Sequence, residues 1–298
     1  MSDLPPRSDL SSHEVTNQPV AQGDLDLWAQ DPALQTHAVA AGARAETLAR
    51  YGAAIGTAEM QEAARQANRQ PPELLAFDAA GRRLDEVRFH PDYHRLMELG
   101  ITSGYAAVAW DGGQGGHATH AAMVYLTSQI EPGVCCPMTM TYAAVPALRA
   151  EPELFAQWVP KLIARAYDGS ARPMARKAGL TMGMALTEKQ AGSDVRATTT
   201  RAERDGPDYR LTGHKWFCSA PMSDGFLTLA QASGGLTCFV VPRWLEQERN
   251  AIRLMRLKDK LGNRANASAE IEYHGAIAHR LGDAGDGIRT VIEMIHHT

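Results

Sequence analysis

The sequence predicts an α+β protein: a helical domain first, a small antiparallel β-barrel or β-sandwich domain second, and the start of a further helical domain last. The spacing of apolar residues predicts this order. It is helical up to Asp168, changes to short β-rich runs at Leu180, and is helical again after Gly287. We expect four segments: 1–25 flexible, 26–179 helical, 180–282 β, and 283–298 helical.

Apolar residues recur three or four positions apart in the first part of the chain. Leu48, Tyr51 and Ile55 share one helical face. Pro91 suits the first turn of a helix that Gly100 is placed to end. Further helical stripes are predicted over 123–130, 137–148 and 154–162. The stretch 165–177 is interpreted as a linker, and the glycine-rich loop 111–116, which lacks the lysine of a P-loop, as structural.

In the second part, short β-rich runs are separated by turn residues. Asp205-Gly206 is typical of a hairpin turn, and Gly234-Gly235 predicts a second one. Several short strands at regular spacing indicate a small antiparallel barrel or sandwich. The predicted strands are 198–203, 209–219, 226–232, 236–242, 252–257 and 269–273. After them, Ile288, Val291 and Ile295 predict a last helix.

Composition and charge exclude several classes of protein. The net charge is −4 at pH 7, so there is no basic excess to attract nucleic acid. No apolar run reaches the ~18 residues needed to span a bilayer, and residues 1–23 lack the apolar core of a secretory signal. We therefore expect a soluble, cytoplasmic protein.

Cysteine and histidine patterns do not predict a metal centre. The four cysteines include an adjacent pair that is poorly placed to bridge itself, and they form no C-x-x-C pattern, as is typical of reduced thiols. His90 and His94 have helical i, i+4 spacing, but no H-E-x-x-H motif occurs. The other close sets are His117 with His120 and His296 with His297. No metal ligand is assigned.

Two motifs carry the functional signal. The first is A-L-T-E-K-Q-A-G-S-D over 185–194, and the second is G-H-K-W-F-C-S over 213–219. A turn of small residues that offers hydroxyl and N–H groups is able to hold a phosphate. A following strand with an aromatic and a hydroxyl side chain is able to hold the edge of a planar ring. Together they predict a flavin dinucleotide site, although Ser193-Asp194 alone would indicate a turn and Phe217 alone a core residue.

The pair of motifs resembles the middle domain of the acyl-CoA dehydrogenase family, whose signature is T-E-P-x-A-G-S-D followed by a strand that ends in W-I-T or similar. Lys189 stands where most of that family has proline, and Lys189-Gln190 is typical of its AidB branch, the flavoproteins of the bacterial adaptive response to DNA alkylation. The resemblance runs from about Trp28 to the last residue. The further segments that carry it are 77–83, 85–91, 136–141, 256–264 and 266–268.

The resemblance implies that the β domain binds FAD. It places residues 184–187 along one side of the isoalloxazine ring, with the Thr187 hydroxyl near the pyrimidine edge, and Ser193 at the pyrophosphate. Residues 217–219 would form the second wall. Donors at the pyrimidine end stabilise the negative charge that a flavin gains on reduction. The implied cofactor-binding residues are Met184, Ala185, Leu186, Thr187, Gly192, Ser193, Phe217, Cys218 and Ser219.

The resemblance also implies an activity, acyl-CoA α,β-dehydrogenation. A carboxylate base removes the α-proton while the flavin takes the β-hydride, and in this family the base lies in a C-terminal helical domain. The chain ends within what resembles the first helix of that domain, so no catalytic residue is assigned and we expect this fragment alone to be inactive. Glu188 is positioned by the turn, and Asp194 is expected to bond nearby N–H groups, so neither is a candidate base.

The partners that the resemblance implies are an acyl-CoA-like molecule, duplex DNA contacted through the C-terminal domain, and further copies of the chain in a tetramer. Two alternatives stay open. One is a non-enzymatic DNA-protection protein that keeps FAD as a structural group, and the other is a truncated chain with no activity of its own. A glutamate that faces the flavin would favour the enzyme, and a basic stripe would favour the DNA role. His214, in the second motif, is interpreted as structural.

Overall fold

A computed structural model describes Leu4 and residues 7–298. Helices form the first part of the described chain, strands the second, and a last helix packs back on both. The helices are Pro32–Ala40 (α1), Ala45–Ile55 (α2), Ala58–Arg69 (α3), Pro91–Ser103 (α4), Gly116–Ser128 (α5), Pro132–Leu148 (α6), Pro152–Leu162 (α7) and Gly287–His297 (α8). The strands are Glu73–Phe77 (β1), Arg83–Arg88 (β2), Met182–Ala185 (β3), Arg201–Asp205 (β4), Asp208–Ser219 (β5), Gly225–Ala232 (β6), Gly235–Pro242 (β7), Ile252–Leu257 (β8) and Ser268–Leu281 (β9).

Helix α4 begins where the sequence predicts and ends later. Pro91 occupies its first turn. The expectation that Gly100 ends the helix is wrong, because α4 continues to Ser103 and Gly104 caps it with a left-handed φ of 98°. Gly100 serves a packing role instead. A Cβ at this position would collide with the thioether of Met138, so the glycine lets α4 and α6 approach closely.

The helical expectation is also wrong over 73–88, where β1 and β2 form an antiparallel hairpin. Asp78 closes the turn, since its side chain accepts two backbone N–H groups. Asp85 accepts the N–H of Leu254 on β8 at 2.8 Å, and the buried Arg243 donates to the Asp85 carbonyl. The hairpin is thus held by partners from the β domain. The apolar periodicity of residues 73–88 could not predict it, because these partners are distant in sequence.

Five strands close into a barrel in the part of the chain that the structure describes. β6 pairs with β7, β7 with β9, β9 with β5 and β5 with β4, all antiparallel, and a parallel contact between β4 and β6 closes the ring. β3 runs parallel beside β6, and β8 pairs with β9. The small antiparallel barrel is confirmed. The hairpin turns at Asp205-Gly206 and Gly234-Gly235 are confirmed as well.

Some strand boundaries differ from the predicted ones. The strand predicted over 198–203 begins only at Arg201, because residues 195–197 form a short 3₁₀ turn. The strand predicted over 269–273 continues to Leu281 and passes through Gly275, which has a left-handed φ of 78°. A glycine indicates a strand end from sequence alone, whereas here the pairing with β5 on both sides of it keeps the strand together.

Buried polar contacts join the helical part to the barrel. The Thr141 hydroxyl of α6 accepts the N–H of Met182 on β3 at 3.1 Å. Lys177 donates to Asp224 at 2.6 Å, with each side chain only 2% exposed. Asp224 also accepts the N–H of Thr181 at 2.9 Å. The connection between α7 and β3 is therefore anchored at its end rather than left as a loose linker.

The last helix that was predicted after Gly287 forms as α8. It packs against α6 and β7. Val291 and Met294 are buried in this contact. The His297 ring, at the end of α8, lies 5.8 Å from the Trp110 ring, centroid to centroid. None of the helices in the described residues combines the length and apolar character needed to cross a membrane.

Candidate functional site

The first motif folds into a tight turn that is fastened to strand β5. Glu188 and Ala191 exchange backbone hydrogen bonds, with N–H to carbonyl distances of 2.8 and 3.2 Å. The Trp216 N–H donates to the Thr187 carbonyl at 2.7 Å. The two motifs are thus joined directly by the backbone, and the turn presents residues 192–194 just beyond it.

Glu188 is the buried centre of this turn, with 1% of its surface exposed. Its carboxylate accepts the N–H and hydroxyl groups of Thr199 and Thr200 at 2.6–3.1 Å, and Lys215 Nζ at 2.8 Å. Burial opposes ionisation, but the charge of Lys215 and these hydrogen bonds outweigh it and lower the pKa of Glu188 to about 2. Glu188 is therefore an ionised structural group with no capacity left to act as a base.

Lys215 completes the ion pair from inside the barrel. Its side chain is fully buried, and Nζ also donates to the Leu229 carbonyl at 2.8 Å. Burial lowers the pKa of Lys215, and the neighbouring Glu188 carboxylate works in the opposite direction. Because a buried charge without its partner is strongly destabilising, the pair ties the turn to β5 and β6.

Gly192 and Ser193 present hydrogen-bond donors that the described part of the chain leaves unused. Both residues are exposed, and among the described residues their backbone N–H groups and the hydroxyls of Ser193 and Thr187 have no hydrogen-bond partner. Asp194 is engaged, since its carboxylate accepts the N–H of Arg196 at 3.1 Å, as aspartate does in turns. Adjacent free N–H groups are typical of an anion-binding concavity.

The end of β5 alternates between an outer face and the barrel interior. Phe217 is 47% exposed, and Ser219 is half-buried with its Oγ 3.3 Å from Ser268 Oγ. Cys218 lies between them with its thiol inside the barrel, where burial raises its pKa to about 12. Only the backbone of Cys218 is therefore available to a molecule on the outer face, where Phe217 and Ser219 stand together.

Strand β3 contributes less side-chain surface than the sequence predicts. Ala185 is buried, and its carbonyl accepts the Thr228 hydroxyl at 2.6 Å. Met184 and Leu186 are half-buried and pack against the core. Five residues of the predicted set remain accessible around the turn and the end of β5, through a side chain or an N–H group. They are Thr187, Gly192, Ser193, Phe217 and Ser219.

Two neighbours of this surface were not predicted as site residues. The Trp216 ring lies under Lys258, whose Nζ is 3.2 Å from the ring centroid and pairs with Glu270 at 2.7 Å. Burial raises the pKa of the Cys136 thiol, and the neighbouring Ser219 works in the opposite direction. Cys136 and Lys258 lie in segments that carry the family resemblance, and this is the only signal the sequence offers for them.

The histidine sets make ordinary hydrogen bonds in this fold. His94 Nδ1 pairs with the Tyr167 hydroxyl at 2.8 Å, and His120 Nδ1 with the Tyr105 carbonyl at 2.8 Å. Within the residues that the structure describes, no group of three His, Cys, Asp or Glu side chains is arranged to hold a metal ion.

Comparison with known families agrees with this geometry. Residues 17–169 match the family model described as the adaptive response protein AidB N-terminal domain, and residues 183–276 match that of the acyl-CoA dehydrogenase middle domain. The two matches define the class of the fold as that of the acyl-CoA dehydrogenases. The chain is also 50% identical to the putative acyl-CoA dehydrogenase AidB of Escherichia coli K12 over 291 residues, which cover 95% of this chain and 54% of that protein.

More distant relatives show the same class. Acyl-CoA dehydrogenase family member 11 of Caenorhabditis elegans is 33% identical over 270 residues, covering 85% of this chain and 43% of that protein. The crystal structure of C. elegans ACDH-11 in complex with C11-CoA superposes with a TM-score of 0.82 at 29% identity, covering 96% of this chain and 51% of that one. This chain belongs to the AidB branch of the acyl-CoA dehydrogenase family. It spans about half the length of the relatives it matches.

Proposed function

We propose that this chain forms the FAD-binding wall of an oxidoreductase that acts on acyl-CoA thioesters. The observation that carries the proposal is the set of unused donors at Gly192 and Ser193, on a turn that is bonded to the strand with the exposed ring of Phe217. The family supports it, and so does the C. elegans relative whose structure is described as a complex with C11-CoA.

The residues present fit FAD. The free N–H groups and hydroxyl at 192–193 suit the pyrophosphate, which prefers such donors. The flat apolar side of Phe217 suits the isoalloxazine ring, and the free hydroxyl of Thr187 suits its pyrimidine edge. When bound, FAD would supply the capacity to accept a hydride from the acyl chain. The task of these side chains is to bind the cofactor and to orient it.

The base that such a reaction requires is not among the carboxylates of this surface. Glu188 is buried and paired with Lys215, and Asp194 caps the turn that follows it. Glu270 is paired with Lys258 and Arg256. We infer that the α-proton is removed by a carboxylate outside this chain, and that the chain by itself does not oxidise an acyl-CoA.

An FAD titration tests the proposal. Purified chain would be added to FAD while flavin fluorescence is followed, beside a chain extended to the length of the relatives. We expect weak binding by this chain and tight binding by the extended one. Ser193→Ala should weaken both by about tenfold, since a charge-assisted hydrogen bond contributes ~1.5 kcal/mol or more. Ser233→Ala, at the exposed β6–β7 turn, is the matched control.

Two results would contradict this proposal. One is an extended chain that binds no FAD at any concentration, which would remove the cofactor. The other is an affinity that Ser193→Ala and Ser233→Ala change equally, which would place the phosphate elsewhere. Full-strength FAD binding by this chain alone would instead show that the barrel wall suffices without further contacts.

We further propose that the whole protein assembles as a homo-oligomer, works in the cytoplasm and protects DNA through a surface outside this chain. The net charge of −4 supports weak duplex binding by the chain itself, because such binding is mainly phosphate neutralisation. A titration with labelled duplex at several salt concentrations checks this. Tight and strongly salt-dependent binding would place the DNA surface on this chain instead.

A further inference from the structure

The turn of the first motif is held by a histidine side chain from the second. The backbone N–H of Lys189 donates to Nε2 of His214 at 3.1 Å, across 25 positions of sequence. Since Nε2 accepts this bond, the proton of the neutral ring sits on Nδ1. We propose that His214 is a positioning residue that holds the 188–191 turn and thereby aims the donors of residues 192 and 193. The proposal rests on the FAD site proposed above.

The bond completes a short ladder between the two motifs. One step away, the Trp216 N–H donates to the Thr187 carbonyl at 2.7 Å. At the next place along the strand, the imidazole of His214 takes the Lys189 N–H. Strand β5 therefore holds the start of the turn on both sides of Glu188. A side chain replaces the backbone acceptor here, because β3 ends at Ala185 and the chain forms the turn from Glu188 onward.

His214 is itself held in place for this task. The Thr200 hydroxyl oxygen lies 2.6 Å from Glu188 and 3.2 Å from the His214 carbonyl oxygen, so its single proton is shared between the two acceptors, with Glu188 the nearer. The residue lies between Gly213 and the buried Lys215, on a strand that pairs with β9. The His214 backbone is therefore fixed relative to the Glu188–Lys215 pair. Its ring reaches from there to the N–H of Lys189.

The consequence for a ligand follows from the order of the chain. Gly192 and Ser193 come directly after the 188–191 turn, and their N–H groups are free. A turn held at Lys189 points these donors in one direction before a phosphate arrives, so less conformational freedom is lost on binding. Without the His214 bond, the turn beyond Glu188 would spend part of the binding energy on that ordering. His214 therefore acts on the ligand through the turn and does not touch it.

Hydrogen exchange and FAD affinity together test the proposal on the full chain. His214→Ala removes the acceptor, and His214→Gln supplies another acceptor of similar reach. We expect His214→Ala to speed amide exchange in peptides that cover 189–194 by roughly threefold to tenfold, the effect of one net hydrogen bond, and to weaken FAD binding by a similar factor. His214→Gln should restore both. Lys189→Ala keeps the N–H and is the matched control.

A double-mutant cycle isolates the bond from the rest of the histidine. Lys189→Pro installs the residue of the general family signature and removes the N–H, so His214→Ala should then add no further change in exchange over 190–194 or in FAD affinity. If His214→Ala prevents folding, His214→Gln replaces it in the cycle. It is made once in the otherwise unchanged chain and once together with Lys189→Pro. The glutamine should give the same exchange and FAD affinity as histidine in both backgrounds.

Four outcomes would overturn the proposal. The first is that His214→Ala has the same effect with lysine or with proline at 189, and the second is that His214→Gln fails to restore exchange. The third is a difference between His and Gln in either background. The fourth is faster exchange that leaves FAD affinity unchanged. Absence of FAD binding by every variant would refute the proposed function. The exchange data would still decide whether His214 holds the turn.

Discussion

The substitution Glu188→Gln tests the claim that a buried ion pair, rather than turn propensity, holds the 188–191 turn together. One carboxylate oxygen accepts Lys215 Nζ and the N–H and hydroxyl of Thr200. The other accepts Gln190 Nε2 and the N–H and hydroxyl of Thr199. An amide keeps one acceptor oxygen and turns the other position into a donor that faces three donors.

The structure sets the size of the effect. Three of the six hydrogen bonds lose their acceptor, and Lys215 stays buried without a counter-charge. Breaking a buried pair by removing one partner costs about 3–5 kcal/mol, so we expect Glu188→Gln to lower the free energy of unfolding by about 4 kcal/mol. For a chain of this size, that corresponds to a fall in Tm of roughly 10 °C.

Urea unfolding and thermal scans followed by circular dichroism provide the measurement. Glu203→Gln, on the exposed side of β4, is the matched control and should change stability by less than about 0.5 kcal/mol. In a Lys215→Met background, the cost of Glu188→Gln should shrink by about 2 kcal/mol, because no charge is left behind. Equal stability of the two glutamine variants would refute the reasoning.

Two further predictions concern the helical part. Burial lowers the pKa of His120 from 6.5 to about 4, so the folded state is fully stable with respect to this group above pH 6.5 and loses about 3 kcal/mol of unfolding free energy as the pH falls from 6.5 to 4. Urea midpoints across this range should fall with pH, and His120→Gln should remove that slope. A slope that His120→Gln leaves unchanged would contradict the prediction. Arg44 donates twice to Asp111 and once to the Gln114 carbonyl. Arg44→Lys, which cannot form this fork, should raise proteolytic cleavage in 111–116 by roughly fivefold, while Arg50→Lys should not.

The sequence by itself determined that a helical part comes first, a β part second and a helix last, because apolar periodicity is a local property. The last helix after Gly287 and the two hairpin turns of the barrel formed where their residues predicted them. The turn at 188–191 was predicted too, since its small residues and hydroxyls lie together in one run of the chain. Its assignment to FAD came from resemblance, and the contacts of individual residues with FAD stay predictions.

Only the tertiary structure decided which side of each element faces the site. Cys218 was predicted beside Phe217 as part of one wall, but an irregularity in the pairing of β5 with β9, between Lys215 and Cys218, leaves the Cys218 thiol buried. Residues 73–88 became a hairpin because β8 and Arg243 offer it partners. Each of these outcomes depends on groups that are far apart in sequence, and the free energy of such contacts exists only once the chain has brought them together.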